Sequence, residues 1–320
     1  MAESTHNAIA LTNNVLAVKI RPEEGGRISS LKSCVTGVEF LTQSGNEAVH
    51  LESGYEAQFQ NGACAGIEEC LPTVGACDER TSGGAVPDHG DFWQLCWDVR
   101  EQSTNHVVLL AKGFSRPLLF EKAVSLKEAT LSIRYRVQNV SERATSFLYA
   151  CHPLFAVEPG DRIALPSEID ALQLTYSFTG KLGEVGDRIG WPGQELDTVP
   201  SMATAEAEMF YSGRLRTGRC GLFRIRAKQG LLLSFSTREL PYLGLWLCYG
   251  GWPGGTATQQ YAVAFEPTTA PCNTLKQALE EGLASHLPSG DVLEWELEFQ
   301  LTPAGTTLKA FQAVVNKTTR

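Results

Sequence analysis

What most constrains the fold of this chain is a long succession of short apolar runs, most with a two-residue period, separated by Gly, Asp, Ser and Pro turns. They include VLAVKI (15–20), RISSLKS (27–33), HVVLLAKG (106–113), LLFEKAVSL (118–126), ATLSIRYRVQNV (129–140), TSFLYAC (145–151), CGLFRIRA (220–227), GLLLSFS (230–236), LGLWLCY (243–249), YAVAFE (261–266) and VLEWELEFQL (292–301). In LSIRYRV, Leu131, Ile133, Tyr135 and Val137 alternate with Ser132, Arg134 and Arg136, which gives one buried and one wet face. Strands joined by short turns, with few helical patterns between them, predict an all-β, mainly antiparallel sandwich or barrel rather than βαβ units. The clearest helix is NTLKQALEEGL, with Asn273 or Thr274 as N-cap and Gly282 as its stop. The stretch 180–215 reads as a loop-rich excursion, and no linker or composition shift divides the chain. Residues 1–320 are expected to form a single domain, for which this length supplies ample core.

Composition narrows the function classes. A net charge of −9 and a pI near 5.3 argue against nucleic acid or an anionic membrane as the main partner. No run approaches the length of a membrane span, and the N-terminal MAESTHNAIALTNN lacks the basic start and apolar core of a signal peptide, so a cytoplasmic location is expected. The nine cysteines form no Cys-x-x-Cys pair and read as free thiols in a reducing compartment. The histidines at 6, 50, 89, 106, 152 and 286 show no metal-ligand spacing, and neither dinucleotide, P-loop, nucleophile-elbow nor zincin motifs occur. No metal or cofactor is therefore expected.

Two apolar runs end in a polar residue followed at once by proline: His152 in FLYACHPLF and Glu266 in QQYAVAFEP. Ala150 and Leu148 share the face of His152, and Ala264 and Ala262 share that of Glu266. Small neighbours leave space above the sheet, while Phe147, Tyr149, Tyr261, Val263 and Phe265 point the other way into a core. An imidazole and a carboxylate brought together can move one proton onto and another off a small polar ligand. The alternative is that each is an ordinary strand-end residue satisfied by loop amides. His89, in the loop PDHGDFW beside Asp88, could complete a site, and Arg80 is the nearest cation to that loop. Trp97 reads as core, Trp93 is open, and Trp246 and Trp252 in GLWLCYGGWPGG are candidate ligand platforms, since a sugar has an apolar C–H face as well as a polar rim.

On these residues the chain resembles the galactose mutarotase-like superfamily, which includes the aldose 1-epimerases. The landmarks occur in order: PEEGGRISSLKS (22–33), DHGDFW (88–93), CHPLFAVEPGDRIALP (151–166) and YAVAFEPTTAPCNTLKQAL (261–279). The resemblance implies a large twisted antiparallel β-sandwich holding a sugar on its concave face. It also implies that Glu266 takes the proton of the anomeric hydroxyl, His152 protonates the ring oxygen, and His89 hydrogen-bonds the sugar. The carboxylate and imidazole would need little pKa tuning for this. The Asn-Arg pair that members carry upstream of the His-Gly motif is missing from IEECLPTVGACDER, and Glu239 is the nearest guess for their additional sugar-holding aspartate.

The expectation is a cofactor-independent carbohydrate epimerase of the aldose 1-epimerase type, acting on a small-molecule sugar as a monomer or homodimer. Glu266 and His152 would be catalytic; His89, Asp88, Arg80, Trp246 and Trp252 would bind substrate. A noncatalytic sugar-binding module is one rival. A glycoside hydrolase or lyase is another, and would need a second carboxylate near Glu266, with Asp88, Glu69 and Glu239 as candidates.

Overall fold

The computed structural model describes residues 8–44, 53–79, 83–253 and 259–317. Two large antiparallel sheets dominate. The first has ten strands, in the order Ile9–Thr12, Leu16–Arg21, Arg27–Ser33, Gly66–Cys70, Ala150–Ala156, Tyr261–Thr268, Tyr242–Tyr249, Glu206–Tyr211, Ala171–Ser177 and Arg188–Gly190. The second has eight: Arg162–Ala164, Arg219–Arg224, Gln229–Phe235, Val292–Leu301, Thr130–Asn139, Leu118–Lys127, His106–Lys112 and Asp98–Gln102. This is the large antiparallel sandwich expected from the sequence. All eleven apolar runs named above contribute strands, and the loop-rich excursion supplies two more, Arg188–Gly190 and Glu206–Tyr211, to the first sheet.

The alternation explains the second sheet. In Thr130–Asn139 the residues Leu131, Ile133, Tyr135 and Val137 are fully buried, and across the ladder Trp295, Leu297 and Phe299 point the same way while Glu294, Glu296 and Glu298 face water. The middle of the first sheet is different, because Gly66–Cys70 and Tyr261–Thr268 are covered on both faces. One face meets the second sheet in a core running from Ile9 to Leu301. On the other face the short helix Leu275–Glu280 packs against Cys70, Leu148 and Ala150. Thr274 is the N-cap, its hydroxyl accepting the Gln277 N–H, and Gly282 follows the helix with φ +69°.

A charged group is sealed between the sheets. Glu69 accepts hydrogen bonds from Lys122 Nζ (2.9 Å), Tyr135 OH (2.8 Å) and Tyr149 OH (2.8 Å), with both members of the ion pair wholly buried. All nine cysteines are free. Among the described residues no helix is long and apolar enough to cross a membrane.

Candidate active site

His152 and Glu266 lie on neighbouring strands of the first sheet. The ladder pairs Ala150 with Thr268 and Leu154 with Ala264, and at that register His152 stands directly opposite Glu266 on the face away from the second sheet. Neither residue ends its strand, contrary to the reading of the sequence: the strands run on to Ala156 and Thr268, through Pro153 and Pro267. Proline has no N–H to give a ladder, and pairing between the two strands is interrupted over Cys151–Pro153 and Phe265–Pro267. The prolines mark an opened stretch of ladder rather than a strand terminus. The other edge of the His152 strand stays in register with Gly66–Cys70, and the other edge of the Glu266 strand with Tyr242–Tyr249.

His152 Nε2 lies 3.7 Å from Glu266 Oε1, and His152 Nδ1 is buried without a hydrogen-bond partner. Only 7% of His152 and 2% of Glu266 are exposed. That distance would suit an ion pair, but burial disfavours both charges. It pushes the Glu266 carboxyl up to about 8 from an ordinary 4.5. Burial first, and then the nearby His89, push His152 down to about 3 from 6.5. At neutral pH the pair therefore holds one proton, and it rests on the carboxyl. The expectation that little pKa tuning is needed is corrected: enclosure on a doubly covered sheet inverts the usual order of the two groups.

Glycine makes room for the carboxylate. Gly244 is the ladder partner of Glu266, and a Cβ there would lie 3.1 Å from Glu266 Cβ, 3.2 Å from its Oε2 and 2.9 Å from Met209 Cε. His89 approaches from a loop in the left-handed conformation (φ +56°). The next residue, Gly90, is held so close to the Gly66–Cys70 strand's exit that a Cβ would fall 2.1 Å from Leu71 O, which only glycine accommodates. The His89 ring stacks on Phe59 (3.9 Å between centroids, 7° apart) and meets His152 edge-on at 5.4 Å.

Asp88 stands behind that arrangement rather than in the cavity. Its Oδ1 is 2.9 Å from His89 Nδ1 and its Oδ2 accepts the Phe59 N–H at 2.8 Å. Burial works against its ionised form, but the hydrogen bond and charge of His89 together with the Phe59 N–H more than offset this and hold the carboxyl below its ordinary value. Asp88 thus fixes both the imidazole and the ring it lies against, and leaves His89 Nε2 for a ligand.

Glu266, His152 and His89 share a cavity of about 260 Å³ with Phe59, Asn273, Trp246 and Trp252. The structure so brings together five of the residues singled out in the sequence. Arg80 lies outside the described residues. Trp97 is core, as expected, and Trp93 is buried with its indole N–H on Asp88 O. Glu239 lies on the second sheet's side, tied to Ser236 and Arg238, and Glu69 points into the core. Among the described residues Glu266 is the one carboxylate that lines the cavity, no Lys or Arg lines it, and no cluster of His, Cys, Asp and Glu could hold a metal ion.

Phe59, Asn273, Tyr176, Met209 and Gln260 also line the cavity and were not singled out as site residues, Asn273 reading in the sequence only as a candidate helix cap. Alternation would have reached Gln260, since it shares a strand face with Ala262, Ala264 and Glu266. Phe59 sits in a short 3₁₀ turn with no pattern to announce it.

The fold has counterparts among solved structures. A galactose mutarotase related enzyme from Lactobacillus acidophilus superposes with a TM-score of 0.68 at 18% identity, covering 93% of this chain and 98% of that one. Galactose mutarotase-like proteins from Clostridium acetobutylicum and Lactobacillus casei each give a TM-score of 0.67 at 16% identity; the first match covers 94% of this chain and 97% of the other, the second 92% and 100%. At such identities the likeness is one of fold. No curated protein matches the sequence. The family model described as aldose 1-epimerase matches residues 7–204, which take in His89 and His152 and stop short of Glu266. With a match over more than half its length, this chain belongs to the aldose 1-epimerase family.

Proposed function

We propose that this protein, working as one domain, opens and recloses the ring of an uncharged aldose, interconverting its α and β anomers without a cofactor. The observation that carries the reading is the His152–Glu266 pair, face to face at 3.7 Å in a cavity. Anomerisation needs one group to remove the proton of the anomeric hydroxyl and another to protonate the ring oxygen. Those oxygens share one carbon, so two facing groups on neighbouring strands can serve both.

With His152 protonated and Glu266 ionised, Glu266 takes the hydroxyl proton while His152 gives one to the ring oxygen. The C1–ring oxygen bond breaks, the hydroxyl becomes the aldehyde oxygen, and the C1–C2 bond rotates. Reclosure on the opposite face returns both protons. With Glu266 protonated and His152 neutral, the roles exchange. The two forms carry the same number of protons and differ by one transfer across the pair, so they share one pH dependence. The active form is the singly protonated pair. His89, steadied by Asp88 and Phe59, offers its free nitrogen to a sugar oxygen.

The absence of Lys and Arg from the described lining favours a neutral sugar over a sugar phosphate. A two-carboxylate glycosidase mechanism is disfavoured because Glu266 has no carboxylate companion among the described lining residues. Magnetisation exchange between α and β anomeric proton signals, measured over a panel of free aldoses and their 6-phosphates, tests the reading. Saturable acceleration for a neutral aldose is expected. Binding without acceleration of any sugar would make the protein a carbohydrate-binding module.

A further inference from the structure

The cavity is longer than its acid–base pair requires. Besides the pair it is lined by Gln260, six residues before Glu266, whose side chain reaches Trp246 on the neighbouring strand. The end away from His152 and Glu266 is an aromatic corner. Trp246 and Trp252 meet at 86° with their rings 6.3 Å apart, and Tyr176 lies 5.8 Å from Trp246. The corner is tied together by the backbone, since Gln260 N–H donates to Trp252 O (2.8 Å) and Gly250 N–H donates to Gln260 O (2.9 Å). Tyr176 remains 36% exposed, so the corner is open to solvent on that side.

One polar group in this corner has a fixed orientation. The Trp246 indole N–H reaches the Gln260 amide oxygen at 2.6 Å. An indole can only donate, so the amide must present its oxygen to Trp246 and its NH₂ elsewhere. Among the described residues nothing accepts from that NH₂. The far end therefore offers flat apolar faces and a pre-aimed hydrogen-bond donor. That combination matches a second sugar ring, which presents a C–H face to aromatic residues and ring or hydroxyl oxygens to a donor.

Resting on the proposed anomerisation, we infer that the preferred substrate is a reducing disaccharide. Its reducing ring lies at His152 and Glu266, and its second ring lies in the corner of Trp246, Trp252, Tyr176 and Gln260. The corner contributes binding remote from the reacting carbon, so it acts on KM more than on kcat.

The test compares anomeric exchange for glucose and galactose with that for maltose, cellobiose, lactose and melibiose. At least one disaccharide should show kcat/KM about tenfold or more above its reducing monosaccharide, mainly through KM. Trp246→Ala and Gln260→Leu should each lower that ratio towards one; Gln260→Asn, a milder change, should lower it in part. Methyl β-glycosides of the same sugars cannot open and report binding alone, read by tryptophan fluorescence. Tighter binding of the disaccharide glycoside, weakened in Gln260→Leu, is expected. Equal kcat/KM for mono- and disaccharides in the wild type, with equal glycoside affinities, would overturn the second subsite while leaving anomerisation standing. Preference for a disaccharide glycoside with no exchange of any sugar would keep the subsite and overturn the reaction. Preference for an aryl-substituted monosaccharide over every disaccharide would overturn the sugar assignment.

Discussion

Replacing Glu266 with glutamine should stabilise the protein, and increasingly so as pH rises. In the fold the carboxyl is pushed by burial to about 8, against 4.5 when exposed. The sign follows from linkage: a raised folded pKa leaves stability intact below about 4.5 and removes it as pH climbs towards about 8, because unfolding releases a proton the folded state retains. At roughly 1.4 kcal/mol per pH unit, the wild type at pH 7 bears a cost on the order of 3 kcal/mol that the neutral amide escapes, and at pH 5 under about 1 kcal/mol. Burying an amide in place of a carboxyl adds a constant offset without changing the slope. Urea unfolding of wild type and Glu266→Gln at pH 5, 6, 7 and 8 measures the difference directly. The stability gap should widen by about 2 kcal/mol between pH 5 and 7. A gap that is constant, or that moves in favour of the wild type as pH rises, would refute the reasoning, because it would mean that Glu266 is ionised in the fold as a partner of protonated His152.

Other consequences concern rate and packing. The pH–rate profile of kcat/KM should be flat across neutrality and fall above about 8 as Glu266 loses its proton, with the lower limb near 3 set by His152. Groups at their ordinary 4.5 and 6.5 would instead give activity that declines through pH 7, and a stopped-flow polarimetric profile separates the two. Gly244→Ala should cut kcat by about a hundredfold with little loss of fold, since the new methyl crowds Glu266 and the flexible Met209 tip; an unchanged kcat would show that Glu266 is not held there. Lys122→Met should destabilise by about 3–5 kcal/mol by leaving Glu69 buried and unpaired, and adding Glu69→Leu should recover much of the loss in denaturant unfolding.

The strands were legible because period-2 alternation and turn residues are local signals. Leu131 to Val137 on one face, or Trp295 to Leu301, need no knowledge of partners to be read. The pairing of His152 with Glu266 was suggested by their matching proline contexts, but their facing register is a property of the ladder and of the opened stretch around Pro153 and Pro267. Those prolines misled in one respect, since they lie within strands that continue. Protonation was not legible at all. Single-sequence reasoning assigns Glu266 and His152 their solution behaviour, whereas the inversion comes from a sheet covered on both faces. Phe59 and Asp88 show the same limit: their grip on His89 joins a 3₁₀ turn to a distant loop, and no spacing encodes it.

The most direct test of the central claim is anomeric exchange of one neutral reducing sugar at pH 7, followed by NMR for wild type, Glu266→Gln, His152→Ala and the double variant. Each single change should lower kcat by at least about a hundredfold, and the double variant should be little worse than either, as for two groups that pass one proton between them. Wild-type exchange rates in Glu266→Gln and His152→Ala would contradict the account.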